Sequence, residues 1–217
     1  ELGADLAYGI HNVRTRAAQE RHEERLVNAM SATIQALADT TELRDPYTAG
    51  HQRRVAQLAE AVGRRLGLSE DRVAGLYLAS TIHDIGKISA PAEILSRPGQ
   101  LSKLEMQLIQ QHVGAAYDLL KGIEFPWPVA DIVAQHHERC DGTGYPFGLR
   151  GEQMLLEARI LAVCDVVEAM SSHRPYRPGL GMEAALAEVQ DGRGSRYDGA
   201  VVDATVTVMR SGRFRFT

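Results

Sequence analysis

Cysteine is scarce in this 217-residue chain. The two present, Cys140 and Cys164, are far apart in sequence and share no close spacing, which excludes a disulfide scaffold and a structural zinc site built from four thiolates. They read as reduced thiols of a cytoplasmic protein. Aromatic residues are few, at 6% with a single Trp. No apolar run approaches the ~18 residues that a membrane helix needs, and no secretory leader opens the chain. No excess of positive charge is present either: the net charge is −4 and the pI about 6.1. Long nucleic acid is therefore not an expected partner, whereas a small phosphate ligand needs only a local basic patch. Strand signals are almost missing, apart from a β-branched stretch at Val201–Val208 that periodicity alone leaves open.

What remains is helical periodicity. With 44% hydrophobic residues the chain can bury a core in one large domain. Leu6, Ile10, Val13 and Ala17, then Met30, Ile34 and Leu37, keep a 3–4 spacing around a charge-dense middle. That predicts a long helix over residues 1–42, leading from whatever precedes it into a domain over 43–217. It reads equally as half of a coiled coil with a second copy or as a solvated helix. Asp45-Pro46-Tyr47-Thr48 interrupts it, with Thr48 a candidate N-cap. The next helix carries His51, Val55, Leu58, Ala59 and Val62 on one face. Another runs from about Ser69 to His83, where Gly86 is expected to end the helical run. Ser102 with Glu105 forms a capping-box pattern for a helix to about Lys121, whose stripe Leu104, Leu108, His112, Ala115 and Leu119 places His112 mid-helix. A short helix precedes His136 and His137. A long one from Gly151 carries Asp165 inward, and two more, Met182–Gln190 and Ala200–Arg210, close the chain. The expected fold is an all-α, compact multi-helix bundle with an N-terminal helical extension.

Histidine is where the pattern departs from an ordinary core. Five of the eight, His51, His83, His112, His136 and His137, fall on inward faces or helix ends, together with Asp84 and Asp165. Burying so many polar groups costs several kcal/mol unless each finds a partner. Two divalent cations would partner them all. With nitrogen and oxygen donors and no thiolate, iron or manganese suits the set. Two such cations about 3.5–4 Å apart can share a bridging hydroxide that attacks phosphorus in line, with Asp84 spanning both. Lys87, four residues after His83, is placed to meet charge developing on a phosphoryl oxygen; the alternative is a helix-end Lys complementing the dipole. Tyr145, in the Gly142-Thr143-Gly144-Tyr145-Pro146 turn at the rim, is suited to stack on a base or bond a phosphate. Arg174 and Arg177 flank Tyr176 in a rigid basic loop that either grips phosphate or is simply solvated.

These residues resemble a known family. His83-Asp84-Ile85-Gly86-Lys87, then His136-His137-Glu138 running into Asp141-Gly142-Thr143-Gly144-Tyr145-Pro146, is similar to the HD-GYP domain, a branch of the HD phosphohydrolase superfamily. The likeness extends from about Leu43 to the C-terminus and includes the Asp-Pro-Tyr-Thr-Ala-Gly-His opening and the Arg-Pro-Tyr-Arg loop. It implies a helical bundle, a di- or trinuclear metal centre, and hydrolysis of cyclic di-GMP to pGpG and onward to GMP. The metal positions it implies are His51, His83, Asp84, His112, His136, His137 and Asp165, and its motif lysine falls on Lys87. Implied ligand contacts fall on Asp45, Tyr145, Arg174 and Arg177. Tyr47 stands where three-metal members carry Glu, which favours two cations. Glu168 stands where an Asp often recurs after Asp165 and is taken as a further substrate contact. An upstream sensory domain or a diguanylate cyclase (GGDEF) partner is implied by analogy. Two competing readings are a phosphohydrolase acting on another nucleotide, including other cyclic dinucleotides, and a receptor or docking module that holds cyclic di-GMP without turnover.

Overall fold

The computed structural model describes residues 2–44, 49–97, 99–172 and 179–216. The chain divides into two compact units, Glu1–Ala36 and Leu37–Thr217. The first unit is helical over its described residues and forms most of α1 (Leu2–Arg44).

The second unit contains the last turns of α1 and the bundle proper. Its elements are α2 (His51–Arg65), α3 (Glu70–Ile82), a 3-10 turn over Ile85–Ser89, α4 (Ala92–Leu95), α5 (Lys103–Gln110), α6 (His112–Leu120), α7 (Val129–Gln135), α8 (Leu156–Ser171), α9 (Met182–Asp191) and α10 (Gly199–Arg210). No strand occurs among the described residues. Helix α8 is buried on nearly all sides, with Ile160, Leu161, Val163 and Val167 fully enclosed, although it also carries Glu157, Arg159, Asp165 and Glu168. Around it pack α2, α3, α7, α9 and α10, which bury Val55, Leu58, Val62, Leu76, Ile132, Val133, Leu186 and Val202 in the core.

Several expected boundaries shift, each for a local reason. The cap of α2 comes from Glu42, whose carboxylate accepts from the Gly50 and Gln52 amides at 2.6 and 3.2 Å. Thr48, expected in that role, lies outside the described residues. Gly86 does not stop a helix. It sits inside the 3-10 turn, where a Cβ would fall 1.9 Å from the His112 carbonyl oxygen. Its bare backbone lets the turn lie directly on α6. The helix expected from Ser102 to Lys121 does start with the capping box, but it breaks at Gln111. There the Ile109 carbonyl accepts the His112 imidazole at 2.7 Å, so His112 opens α6 instead of sitting mid-helix. The buried residues of α6 are His112, Val113, Ala116 and Leu120, whereas Leu104 and Leu119 of the expected stripe are exposed. Helix α8 begins at Leu156, after a 3-10 turn over Gly151–Gln153. The β-branched Val201–Val208 is helical because Asp198 caps it, accepting from Ala200 and Val201 at 2.9 and 3.2 Å.

One close approach gives a direct stability prediction. A Cβ on Gly75 would lie 2.5 Å from Trp127 Cγ. Gly75→Ala should therefore displace that ring and destabilise the domain by about 1–3 kcal/mol. Trp127 is the only Trp, so denaturation followed by its fluorescence reads both effects.

Candidate metal centre

Each side chain of the cluster arrives from a helix end or from α8. His51 is the first residue of α2. His83 follows the last residue of α3, and Asp84 precedes the 3-10 turn. His112 opens α6 and His136 follows α7, while Asp165 projects from α8. Two adjacent histidines can both face inward at 136 and 137 because α7 has ended, which frees them from the 100° step of a helix. Their rings lie 4.0 Å apart between centroids.

The imidazoles form a chain. His51 and His83 are 5.5 Å apart, His83 and His136 5.1 Å, and His112 lies 5.5 Å from His136 and 5.2 Å from His137. Two compact donor groups result: His51 with His83 and Asp84, and His112 with His136 and His137, in each of which the donor atoms lie within 4.8 Å of one another. Asp84 lies between them, with Oδ2 3.6 Å from His83 Nε2 and Oδ1 3.4 Å from His112 Nε2. Asp165 Oδ1 is 3.1 Å from His51 Nε2 and 3.8 Å from His83 Nε2. Lys87 Nζ is 2.6 Å from Asp84 Oδ2.

Tautomers decide whether such a cluster fits a cation. His83 donates Nδ1–H to the Ser80 carbonyl at 2.7 Å, His112 to Ile109 at 2.7 Å and His136 to Val133 at 2.6 Å. In each case the acceptor lies three residues earlier, and the Nε2 lone pair is left pointing into the cluster. Those three buried Nε2 atoms have no hydrogen-bond partner, since a nitrogen lone pair and a carboxylate oxygen are both acceptors and no proton lies between them. An unsatisfied buried polar atom costs about 1–3 kcal/mol, so three together are a penalty that a structural core would not keep. Fixed tautomers, converging lone pairs and two carboxylates fit divalent cations.

Without a cation, electrostatics keep both carboxyls charged and three of the histidines neutral, while a proton on His51 is held between Asp165 and Glu168. Burial opposes charge on Asp84 and Asp165. It is outweighed for Asp84 by Lys87 and the histidines, and for Asp165 by the hydrogen bond and charge of His51, so both carboxyls stay well below their usual range. Burial also pushes His51 down, but Asp165 and Glu168 overcome it and raise it to about 9. Burial dominates at His112 and His136, which are lowered, and at His137, which falls to about 3. A His whose folded value is depressed contributes stability that is lost as pH falls below its unfolded value near 6.5. The three neutral histidines all act in that direction, and the depressed carboxylates add to it nearer pH 4. The metal-free protein should thus lose stability steadily below about pH 6.5, with His137 alone contributing a loss of about 2 kcal/mol between pH 7 and 5. Thermal melts of chelator-treated protein across that window check it; a flat profile would contradict the neutral assignments.

The rim is built by a residue that the motif reading left without a role. Glu138, fully buried, accepts the Phe147, Gly148 and Leu149 amides at 2.6, 3.2 and 3.0 Å. Gly144 packs so tightly on this strut that a Cβ would lie 2.4 Å from Glu138 Cα. The loop holds Tyr145, joined to Pro146 by a cis peptide bond, with its ring 4.8 Å from His137. The available signal was a carboxylate placed directly before a Gly-rich turn. Asp45, Arg174 and Arg177, along with Tyr47 and Tyr176, lie outside the described residues. Glu168, expected to touch substrate, is instead enclosed: its side chain is 1% exposed, and its oxygens bond His51 Nδ1, Arg54 and Ser172.

A family model described as HD domain matches residues 35–201. The chain belongs to the HD domain family. Among proteins like this HD domain is the cyclic di-GMP phosphodiesterase response regulator RpfG of Xanthomonas campestris, 41% identical over 84% of this chain and 50% of that protein. A cyclic di-GMP phosphodiesterase of Pseudomonas aeruginosa is 39% identical, over 85% of the chain and 46% of its own length. A solved cyclic GMP-AMP specific phosphodiesterase of Vibrio cholerae superposes with a TM-score of 0.54 at 26% identity, covering 85% of this chain and 42% of that one. The chain spans about half the length of the relatives it matches. Among the described residues no helix is long and apolar enough to cross a membrane.

Proposed function

We propose that this HD domain is a metal-dependent phosphodiesterase that hydrolyses cyclic di-GMP to pGpG and onward to GMP. The observation that carries the reading is the set of three buried Nε2 lone pairs, fixed by backbone hydrogen bonds and left unpartnered within the two donor groups. Two cations, iron or manganese, suit the two donor groups, with His51, His83 and Asp84 holding one, His112, His136 and His137 the other, and Asp84 and Asp165 completing the set. When bound, such cations supply Lewis acidity toward phosphoryl oxygens and a nucleophile from water near neutral pH. The chain's own residues do the rest. Lys87, tethered by Asp84, offers an ammonium to the charge that grows on a phosphoryl oxygen. Tyr145 presents a ring for a guanine base, and Asp45, Arg174 and Arg177 are assigned to the guanosine phosphates. Residues 1–42 are assigned to signal relay from an upstream sensory domain, in a cytoplasmic setting, with pairing to a second copy through that helix or docking of a GGDEF domain as the partner modes.

A second reading, hydrolysis of a cyclic GMP-AMP dinucleotide, draws support from the related Vibrio enzyme's stated specificity. Metal content of anaerobically purified protein, measured beside products formed from cyclic di-GMP and from cyclic GMP-AMP, tests both. About two iron or manganese per chain with pGpG or GMP appearing is the expected result. Faster turnover of the mixed dinucleotide moves the assignment to the second reading. Two metals without product would make the domain a receptor. No metal after loading would sink the proposal.

A further inference from the structure

The four histidines whose Nδ1 partners are seen are not oriented alike. His83, His112 and His136 each lean on a neutral backbone carbonyl three residues earlier in the chain. His51 leans on Glu168 Oε2, a carboxylate from a helix that lies 117 residues away in sequence. The other Glu168 oxygen accepts Arg54 Nε at 2.6 Å and Ser172 Oγ at 2.6 Å. One buried side chain of α8 therefore grips two residues of α2 that stand one turn apart. A carboxylate on the remote nitrogen fixes the tautomer, aims the ring and makes the ligating nitrogen more basic than a carbonyl does.

Resting on the metal-centre reading above, we infer that Glu168 is the positioning residue of His51, not a substrate contact, and that the two cation positions consequently differ in what holds them. The position at His51, His83 and Asp84 depends on a side-chain carboxylate. At the other position the partners seen, those of His112 and His136, are backbone carbonyls that no side-chain substitution removes.

The test uses Mn2+ alone, titrated into metal-free wild type and Glu168→Gln by calorimetry, with metal content measured after gel filtration. Wild type should take up about two ions per chain. The variant should keep one at wild-type affinity and bind the second roughly 10–100-fold more weakly. A merely structural role would weaken both ions or neither. Two ions bound by Glu168→Gln with unchanged affinities would overturn the inference. If that variant fails to fold, nitrogen NMR of histidine-labelled, zinc-loaded wild type decides: His51 must keep its proton on Nδ1 and bind through Nε2, and ligation through Nδ1 would overturn it. Wild type that binds no ion would instead overturn the metal-centre reading on which the inference rests.

Discussion

Asp84→Asn should reduce phosphodiester hydrolysis on the order of 10^3-fold and leave at most one tightly held cation per chain. Asn keeps the shape of the side chain, so the change isolates the charge. That charge is present in the native protein: burial works against it, but the Lys87 ammonium and the surrounding histidines hold Asp84 well below the ordinary carboxylate range. The residue lies between the two donor groups, 3.6 Å from His83 and 3.4 Å from His112, so its loss is felt on both sides at once. It also fixes Lys87 at 2.6 Å. An uncharged amide in that position cannot aim the ammonium by charge, which removes part of the phosphoryl stabilisation along with the metal. Steady-state turnover and metal analysis on the same preparation separate the two losses. Activity within tenfold of wild type with two ions retained would show that Asp84 is not central.

The cluster was legible in the sequence because histidine at an inward helical position is a polar residue in an apolar pattern, and five of them cannot all be accidents of packing. Helical period alone placed His51, Val55, Leu58 and Val62 on the buried face of α2, and these are buried. It misplaced α5 and α6. The period assumes an unbroken helix, and at the break the His112 ring takes the Ile109 carbonyl, an interaction that no spacing rule encodes. Gly86 was misread for a related reason. Helix-stop and close-approach glycines look identical in a sequence, and only the His112 backbone 1.9 Å from an imagined Cβ tells them apart. Glu168 shows a third limit. The family resemblance marked it as a substrate contact, but a side chain with three torsions can reach a ligand or a neighbouring helix, and the contacts to His51, Arg54 and Ser172 come only from tertiary packing.

Glu138 carries the other large expectation. Its carboxylate sits in the protein interior and accepts three consecutive amides of the loop that holds Tyr145. Hydrogen bonds to a charged acceptor contribute about 1.5–3 kcal/mol each, and a buried amide left without one costs a similar amount. Glu138→Ala should therefore lower stability by roughly 3–6 kcal/mol, less than the full sum because the freed loop can turn its amides to water. Glu138→Gln should cost less, about 2–3 kcal/mol, since the amide keeps one acceptor oxygen but turns a donor toward a donor. The chemical consequence is separable from the metal. His136 and His137 precede Glu138 and hold their places through α7, with His136 anchored to Val133, so metal content should survive. Tyr145 should lose its seat over His137, and the loss should appear in KM for the dinucleotide more than in bound metal. Denaturant unfolding of both variants, with metal analysis and kinetics, checks each part. Should Glu138→Ala unfold at the wild-type denaturant concentration, the carboxylate would not be the strut of the rim, and the seating of Tyr145 would have to come from Gly144 packing against the backbone of residues 138 and 139.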